Sequence, residues 1–327
     1  MNVFTRRTLL RLTGSGLALA ALSPRGLAAT TPPEAPAGRF PPNSTVYRFR
    51  IGDYEAATLL TGYMDAPLAQ PFFAPQATAA EFRAAVEEAC LARTLRLPYN
   101  VLLVRTGREN ILIDAGPGGA PAAPFDLAAA LASLGLGADD ITAVFLTHAH
   151  FDHLGGLLDA QDRVVFRRAE HFCLGEEIDF WMAAQPDFSR LRMDPAGMLA
   201  AARRVFERVP FTRIRPGTPL PAGVTPHLSP GHTPGQMTLR IASGGEQLYH
   251  ISDLAHHSAL MLPHPDWTIA SDVDERQAAA TRGKVFAELA VAGTRVHGYH
   301  LPYPGLGHLR AQGAGYRWVP EDWDPAV

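Results

Sequence analysis

The stretch FLTHAHFDHLGG, residues 145–156, sets His148, His150, Asp152 and His153 within six positions directly behind an apolar run. Imidazole and carboxylate ligands without thiolate suit zinc, manganese, iron or cobalt, and nothing in the stretch chooses among them. A strand ending at Thr147 would project the following turn from a rigid edge. In that turn His148 and His150, two positions apart, can share one ion while Asp152 and His153 face a second. A solvated polar loop is the plainer alternative, and the density of ligand-type side chains argues against it. Gly155 and Gly156 suit the start of a tightly packed helix.

Such a turn needs a frame. YRFRI and YEAATLL have strand character, and TAAE at 78–81 has capping-box spacing, predicting a helix that runs toward Leu95. NVLLVRT and ILIDAG, joined by GREN, read as a hairpin. A helix near Asp126–Leu134 precedes the strand AVFLT, and a longer one covers about Ala196–Val209. MTLRI and QLYHIS form another strand pair, ERQAAATRGKVFAELAVAG a last helix, and TRVHGYH a last strand. No internal repeat is evident, but strands preceding helices in both halves point to two layers of sheet.

At 327 residues and 47% hydrophobic content the chain can bury a full core. The first 29 residues hold Arg6, Arg7, Arg11 and Arg25 and no acid, so the remainder is more acidic than the net charge of −3 suggests. That balance argues against a nucleic-acid partner, which needs a basic face. Paired arginines before LTGSGLALAALS and a small-residue site ending at Ala29 resemble a twin-arginine export signal over residues 1–29, with a short amphipathic helix as the alternative. The expectation is a periplasmic or secreted protein that meets the twin-arginine export machinery. Residues 30–45 read as a Pro-rich linker and 46–327 as the working domain. The two cysteines, Cys90 and Cys173, can be a disulfide or two separate thiols.

The His-x-His-x-Asp-His turn, followed in order by SPGHTPGQ with His232, ISDLAHH with Asp253 and GYHLPYPGLGH with His300, resembles the metallo-β-lactamase superfamily. RFRIGDYEAATLLTG and HLPYPGLGHLRAQGAGYRWVPEDW make the likeness closest to methyl parathion hydrolase and its lactonase-like relatives. The resemblance implies an α/β fold, a four-layer αββα sandwich of two mixed β-sheets flanked by helices. It implies two divalent metal ions, zinc first among the candidates. His148, His150 and His232 would hold one, Asp152, His153 and His300 the other, and Asp253 would bridge them. Asp253 also ends an apolar strand, where a carboxylate emerges from the sheet. Asp114 in ILIDAG matches a strand-end aspartate behind the site, although a turn-forming Asp before Gly116 is as good a reading.

Several histidines compete for these places. His297 and His300 should face opposite sides of an extended strand. His256 and His257 follow Asp253 and could line the entrance, but read first as solvated loop residues, and His171, His227, His250, His264 and His308 receive no role.

With two ions, a water held between them would ionise near neutral pH and attack a neutral ester, lactone or phosphotriester. The catalytic weight would fall on Asp253 and on Asp152, which can also relay a proton to the leaving group. No G-x-S-x-G elbow, P-loop or dinucleotide fingerprint offers another chemistry. Thioester hydrolases and β-lactamases of the same fold, or a non-enzymatic metal-binding protein, are the alternatives. Trp181 and Phe125 are the candidate aromatic walls of the substrate pocket, favouring small neutral substrates, with packing of a helix onto the core as the equal alternative for Trp181 and a helix start for Phe125, and a homodimer is compatible with the sequence.

Overall fold

The computed structural model describes residues 43–91, 94–119, 125–218 and 220–324. By its contacts the chain divides into Met1–Asn43 and Ser44–Val327, and the second unit holds every helix and strand found among the described residues. The export signal and nearly all of the Pro-rich linker lie outside the described residues.

A seven-stranded sheet runs β1 (Val46–Ile51), β2 (Tyr54–Pro67), β3 (Thr94–Arg105), β4 (Asn110–Ile113), β5 (Ala143–Phe145), β6 (Glu170–Leu174), β7 (Phe211–Ile214) in that spatial order. Its first four strands are antiparallel neighbours and the last four parallel. The second sheet has the order β13-β12-β11-β10-β9-β8, from β8 (Val224–Leu228), β9 (Met237–Ser243), β10 (Glu246–His250), β11 (Arg295–His297), β12 (Leu306–Gln312) and β13 (Gly315–Pro320). Only β10 and β11 pair in parallel there.

The inner faces of the sheets meet in a core that includes Phe145, Phe172, Leu102, Leu239 and Leu248. Phe145 and Phe172 stack with ring centroids 4.8 Å apart. On the outer side of the first sheet, residues of α2 (Leu127–Ser133), α4 (Gly175–Met182) and α5 (Ala196–Phe206) join a second core cluster. Residues of α1 (Ala79–Glu88), α6 (Ser258–Met261) and α7 (Glu275–Ala292) join a third, which covers the second sheet. The result is the αββα sandwich. Among the described residues no helix is long and apolar enough to cross a membrane.

Thr78 caps α1 through both bonds of the box with Glu81, but the helix stops at Glu88. Leu95 and Leu97 point alternately inward along β3, so a period of two replaces the expected helix. TRVHGYH is not the last strand either. After β11 the chain turns through Pro302–Gly305 and returns as the β12–β13 hairpin on the sheet edge. Cys90 is exposed and Cys173 buried, both as free thiols.

The short helix α3 (Phe151–Leu154) follows β5 after the turn that holds the first two histidines. Gly155 and Gly156 follow α3 and open a tightly packed 3-10 turn, Gly155–Leu157. A Cβ on either would overlap the carbonyl oxygen of Pro117 or Ala115, so only glycine lets residues 115–118 run against this turn.

Candidate metal centre

Five chain segments converge at one edge of the sandwich. The turn after β5 brings His148 and His150, α3 brings Asp152 and His153, and the loop between β8 and β9 brings His232. Asp253 leaves the end of β10 and His300 follows β11. All seven are buried.

His150 Nδ1 lies 3.1 Å from His148 Nε2 and 2.9 Å from His232 Nε2. One proton cannot bridge three nitrogens, whereas ligand atoms around a tetrahedral ion with bonds of roughly 2.0–2.1 Å stand about 3.3 Å apart. In the second group, Asp152 Oδ2 is 3.4 Å from His300 Nε2 and 3.7 Å from His153 Nε2. Asp253 faces both groups. Its Oδ2 is 3.3 Å from His232 Nε2 and 3.1 Å from His300 Nε2, and its Oδ1 is 3.2 Å from His153 Nε2. That last pair is buried and close, yet neither atom has a hydrogen bond, as expected of two lone pairs aimed at a common third body. The groups His148–His150–His232 and Asp152–His153–His300 each have ligand atoms near enough to hold an ion. The donor set therefore fits divalent metal, zinc included.

The outward nitrogens are held as well. His153 Nδ1 donates to Asp114 Oδ2 at 2.8 Å, His232 Nδ1 to Asp272 Oδ1 at 2.7 Å, and His300 Nδ1 to the Pro98 carbonyl at 3.0 Å. Each bond commits Nδ1 outward, so Nε2 is the nitrogen that faces inward and would ligate once its proton is displaced. Asp114 also accepts from Thr147 N and Oγ1, which ties the β4 end to the β5 turn. Its φ of +65° shows that both readings of this residue hold, a turn former and a buttress. Asp272 accepts from Ile269 N and lies beside the buried Arg282, which grips the carbonyls of Leu254, Pro265 and Trp267.

Burial, with neighbouring imidazoles, pulls His148 and His150 well below the ordinary histidine range, so they are neutral and ready to ligate. Burial also opposes charge on His153 and His232, but the carboxylates of Asp253 and Asp114 around His153, and of Asp253 and Asp272 around His232, outweigh it. His153 is pushed well up and His232 to about 9. Asp253 is drawn well down because His153, His300 and His148 overcome its desolvation, while burial raises Asp152.

Three expectations are corrected. His256 is not a solvated loop residue: it is 4% exposed, with Nε2 3.2 Å from Asp253 Oδ2 and its ring stacked on His300. Trp181 does not wall the site. It is fully buried, donates through Nε1 to Glu177 Oε1, and meets His150 edge-on at 5.9 Å. Phe125 lines a separate crevice of about 420 Å³ with Leu127, Leu131, Leu158 and Phe166. His297 ends β11 and meets Thr58 Oγ1 away from the cluster, and His300 lies in the bend beyond the strand rather than on it. Glu177 and Asp272 escape sequence reasoning, which places His256 in solvent rather than in the cluster. A histidine three residues after Asp253 was the one available signal.

The cavity over the cluster measures about 130 Å³. Beyond the ligands and His256 its walls are Met64, Phe72, Leu97, Phe151, Met193, Met198 and Ile269, with Ser271 the one further polar residue. No lysine or arginine lines it among the described residues. Phe151 and Met193, both over 40% exposed, give its mouth an apolar rim.

Residues 95–300 match the model of the metallo-beta-lactamase superfamily. The chain is 32% identical to the solved structure of AidC, a dizinc quorum-quenching lactonase in complex with the product N-hexanoyl-L-homoserine. That match has a TM-score of 0.79 and covers 85% of this chain and 98% of AidC. It is 23% identical to AbOPH, a hydrolase of the beta lactamase superfamily, with a TM-score of 0.78 over 87% of this chain and all of that one. An N-acyl homoserine lactone hydrolase with N-hexanoyl-L-homoserine at its catalytic metal centre shares the fold at 14% identity, with a TM-score of 0.53 over 79% of this chain and all of that one. No curated protein sequence matches the chain. With a family model spanning more than half its length and a structural relative matched almost end to end, this chain belongs to the metallo-beta-lactamase superfamily.

Proposed function

We propose that the protein is a dinuclear metal-dependent hydrolase of neutral lactones and esters with an apolar acyl group. The observation that carries the reading is the pairing of a bridging-type carboxylate, Asp253, with a cavity whose remaining walls are apolar and uncharged. β-Lactam and glutathione thioester substrates carry carboxylates, and away from the ions a carboxylate buried against Met198, Phe72 and Ile269 would find no lysine or arginine to offset its desolvation. A neutral acyl chain gains there roughly 0.8 kcal/mol for each methylene taken out of water. AidC, whose product is an acyl homoserine, is consistent with this substrate class. The narrower kinship with methyl parathion hydrolase rests on sequence motifs alone.

Two ions, when bound, supply a Lewis acid for the scissile carbonyl and lower the pKa of water. The protein's residues do the rest. Met64, Leu97 and Phe151 exclude bulk water from the reacting carbonyl, and Met198 and Ile269 orient the acyl chain. Asp152 lines the same cavity, where its carboxylate is placed to relay a proton to the leaving alkoxide. Asp114, Asp272 and the Pro98 carbonyl keep the imidazoles from rotating.

The test is a panel of N-acyl lactones, aryl esters and phosphotriesters on metal-analysed protein. Highest kcat/KM on a neutral lactone or ester, lost on chelation, supports the reading. A preference for anionic substrates, or full turnover without metal, refutes it. We further propose that residues 1–29 direct export through the twin-arginine route. Replacing Arg6 and Arg7 by lysine should then retain the protein in the cytoplasm, and unchanged export would refute the assignment.

A further inference from the structure

Helix α4 carries a buried carboxylate that neither ligand group uses. Glu177 is fully buried and takes four hydrogen bonds. Its Oε1 accepts from Ala149 N at 2.8 Å and Trp181 Nε1 at 2.7 Å, and its Oε2 from Thr233 Oγ1 at 2.6 Å and Gly235 N at 3.0 Å. None of these partners is a cation. Burial pushes the carboxyl upward in pKa and the four bonds pull it back. Three of the four partners have no lone pair to offer a carboxylic proton, so the ionised form is the one this pocket accommodates.

The identity of the partners gives the arrangement its meaning. Ala149 stands between His148 and His150, and Thr233 and Gly235 stand one and three residues after His232. One carboxylate therefore joins the two loops that carry the three imidazoles of the first ligand group. The approach is close: a Cβ on Gly235 would overlap the backbone of Glu176 and Glu177. Trp181, four residues along the same helix face, spans from Glu177 to the edge of the His150 ring.

We propose that Glu177 is a positioning residue for the first ion, an anionic clasp that sets the spacing between the His148–His150 turn and the His232 loop. The proposal rests on reading the cluster as a metal centre. Asp114 and Asp272 each steady a single histidine through its ring, whereas Glu177 acts on the main chain of both loops. The clasp requires an acceptor at its three N–H contacts. Glutamine, of nearly the same shape, can accept at one end only and sets its amide against at least one N–H donor at the other.

The experiment compares cobalt binding by the full chain, its E177Q variant and T233V, which removes one donor and leaves the carboxylate. Chelator competition reads the affinity of each site, and visible absorption reads the geometry around cobalt. E177Q is expected to fold and bind two ions at saturation, with first-site affinity weakened about 10–100-fold, altered cobalt bands and second-site affinity within about twofold of the parent. T233V should shift the same readings by less, and T233S should restore them. A lowered melting temperature with parental affinities and bands in both E177Q and T233V would overturn the clasp, as would equal weakening of both sites. A parent that binds no cobalt would overturn the metal reading and the clasp together, so the two failures are distinct.

Discussion

Replacing Asp114 by asparagine should weaken the second metal site while leaving the first nearly intact. Asp114 is fully buried, with Oδ2 shared between His153 Nδ1 at 2.8 Å and Thr147 Oγ1 at 2.9 Å, and Oδ1 on Thr147 N at 2.8 Å. Its φ of +65° is one that asparagine tolerates better than other side chains with a Cβ, so the exchange adds little backbone strain. It does convert one oxygen into an NH2 group. If that group replaces Oδ2 it confronts the His153 Nδ1–H, and if it replaces Oδ1 it confronts the Thr147 N–H. Either orientation loses one hydrogen bond to a charged acceptor, about 1.5–3 kcal/mol. At about 1.4 kcal/mol per tenfold, the second site should bind zinc roughly 10- to 150-fold more weakly. Chelator competition on the folded holoprotein measures this, with Asp114→Ala as a contrast that should also lower thermal stability through strain at positive φ. Unchanged affinity at both sites, or equal loss at both, would refute the claim that Asp114 acts through His153.

Metal affinity should rise with pH from about 6 to about 9. His232, at about 9, and His153, pushed well above the ordinary histidine range by Asp253, Asp114 and Asp152, hold protons in the metal-free cluster that an entering ion must displace, and acid therefore favours release. Calorimetry in buffers of different ionisation enthalpy should find proton release on binding near pH 7, and buffer-independent heats would count against it. Lengthening the acyl chain of a lactone should raise kcat/KM by up to about fourfold per methylene until the cavity is filled, following the roughly 0.8 kcal/mol of each buried CH2. Met198→Ala should flatten that series, and an unaltered slope would mean that the chain lies elsewhere. His171 is 1% exposed with both ring nitrogens unpaired, and burial depresses it to about 4. The unfolded chain thus binds a proton there between about pH 6.5 and 4 that the folded one refuses, and stability falls as pH drops through that window. His171→Phe should stabilise the protein by about 1–3 kcal/mol, with the larger gain at pH 5 than at pH 8 in urea titrations, and a loss of stability would contradict the reading.

Local chemistry is what the sequence by itself determines here. His148, His150, Asp152 and His153 lie within six residues, so any turn after β5 keeps them together, and their atom types restrict the chemistry to metal. The Thr78–Glu81 box likewise needs only its own four residues to start α1. Where competing periods overlap, sequence misleads: Thr94 and Leu95 can be taken as the tail of a helix until pairing with β2 makes them the start of a strand. The β12–β13 hairpin is similar, because only its pairing with β11 distinguishes LGHLRAQ from a polar tail. Tertiary structure alone decides what stands behind the ligands. Asp272 is 40 residues from His232, and Glu177 reaches residues 28 behind it and 58 ahead. Their signals are a common acidic side chain on a loop or helix, with nothing local to mark it. The same holds for direction. A tryptophan four residues from a glutamate on α4 can face a pocket or the core, and only the seating of that helix against Gly235 turned Trp181 inward, while the path after Asp253 turned His256 from solvent into the cluster. Side-chain type is written in the sequence, but the rotation of each element follows from burial against partners far along the chain, which no local window contains.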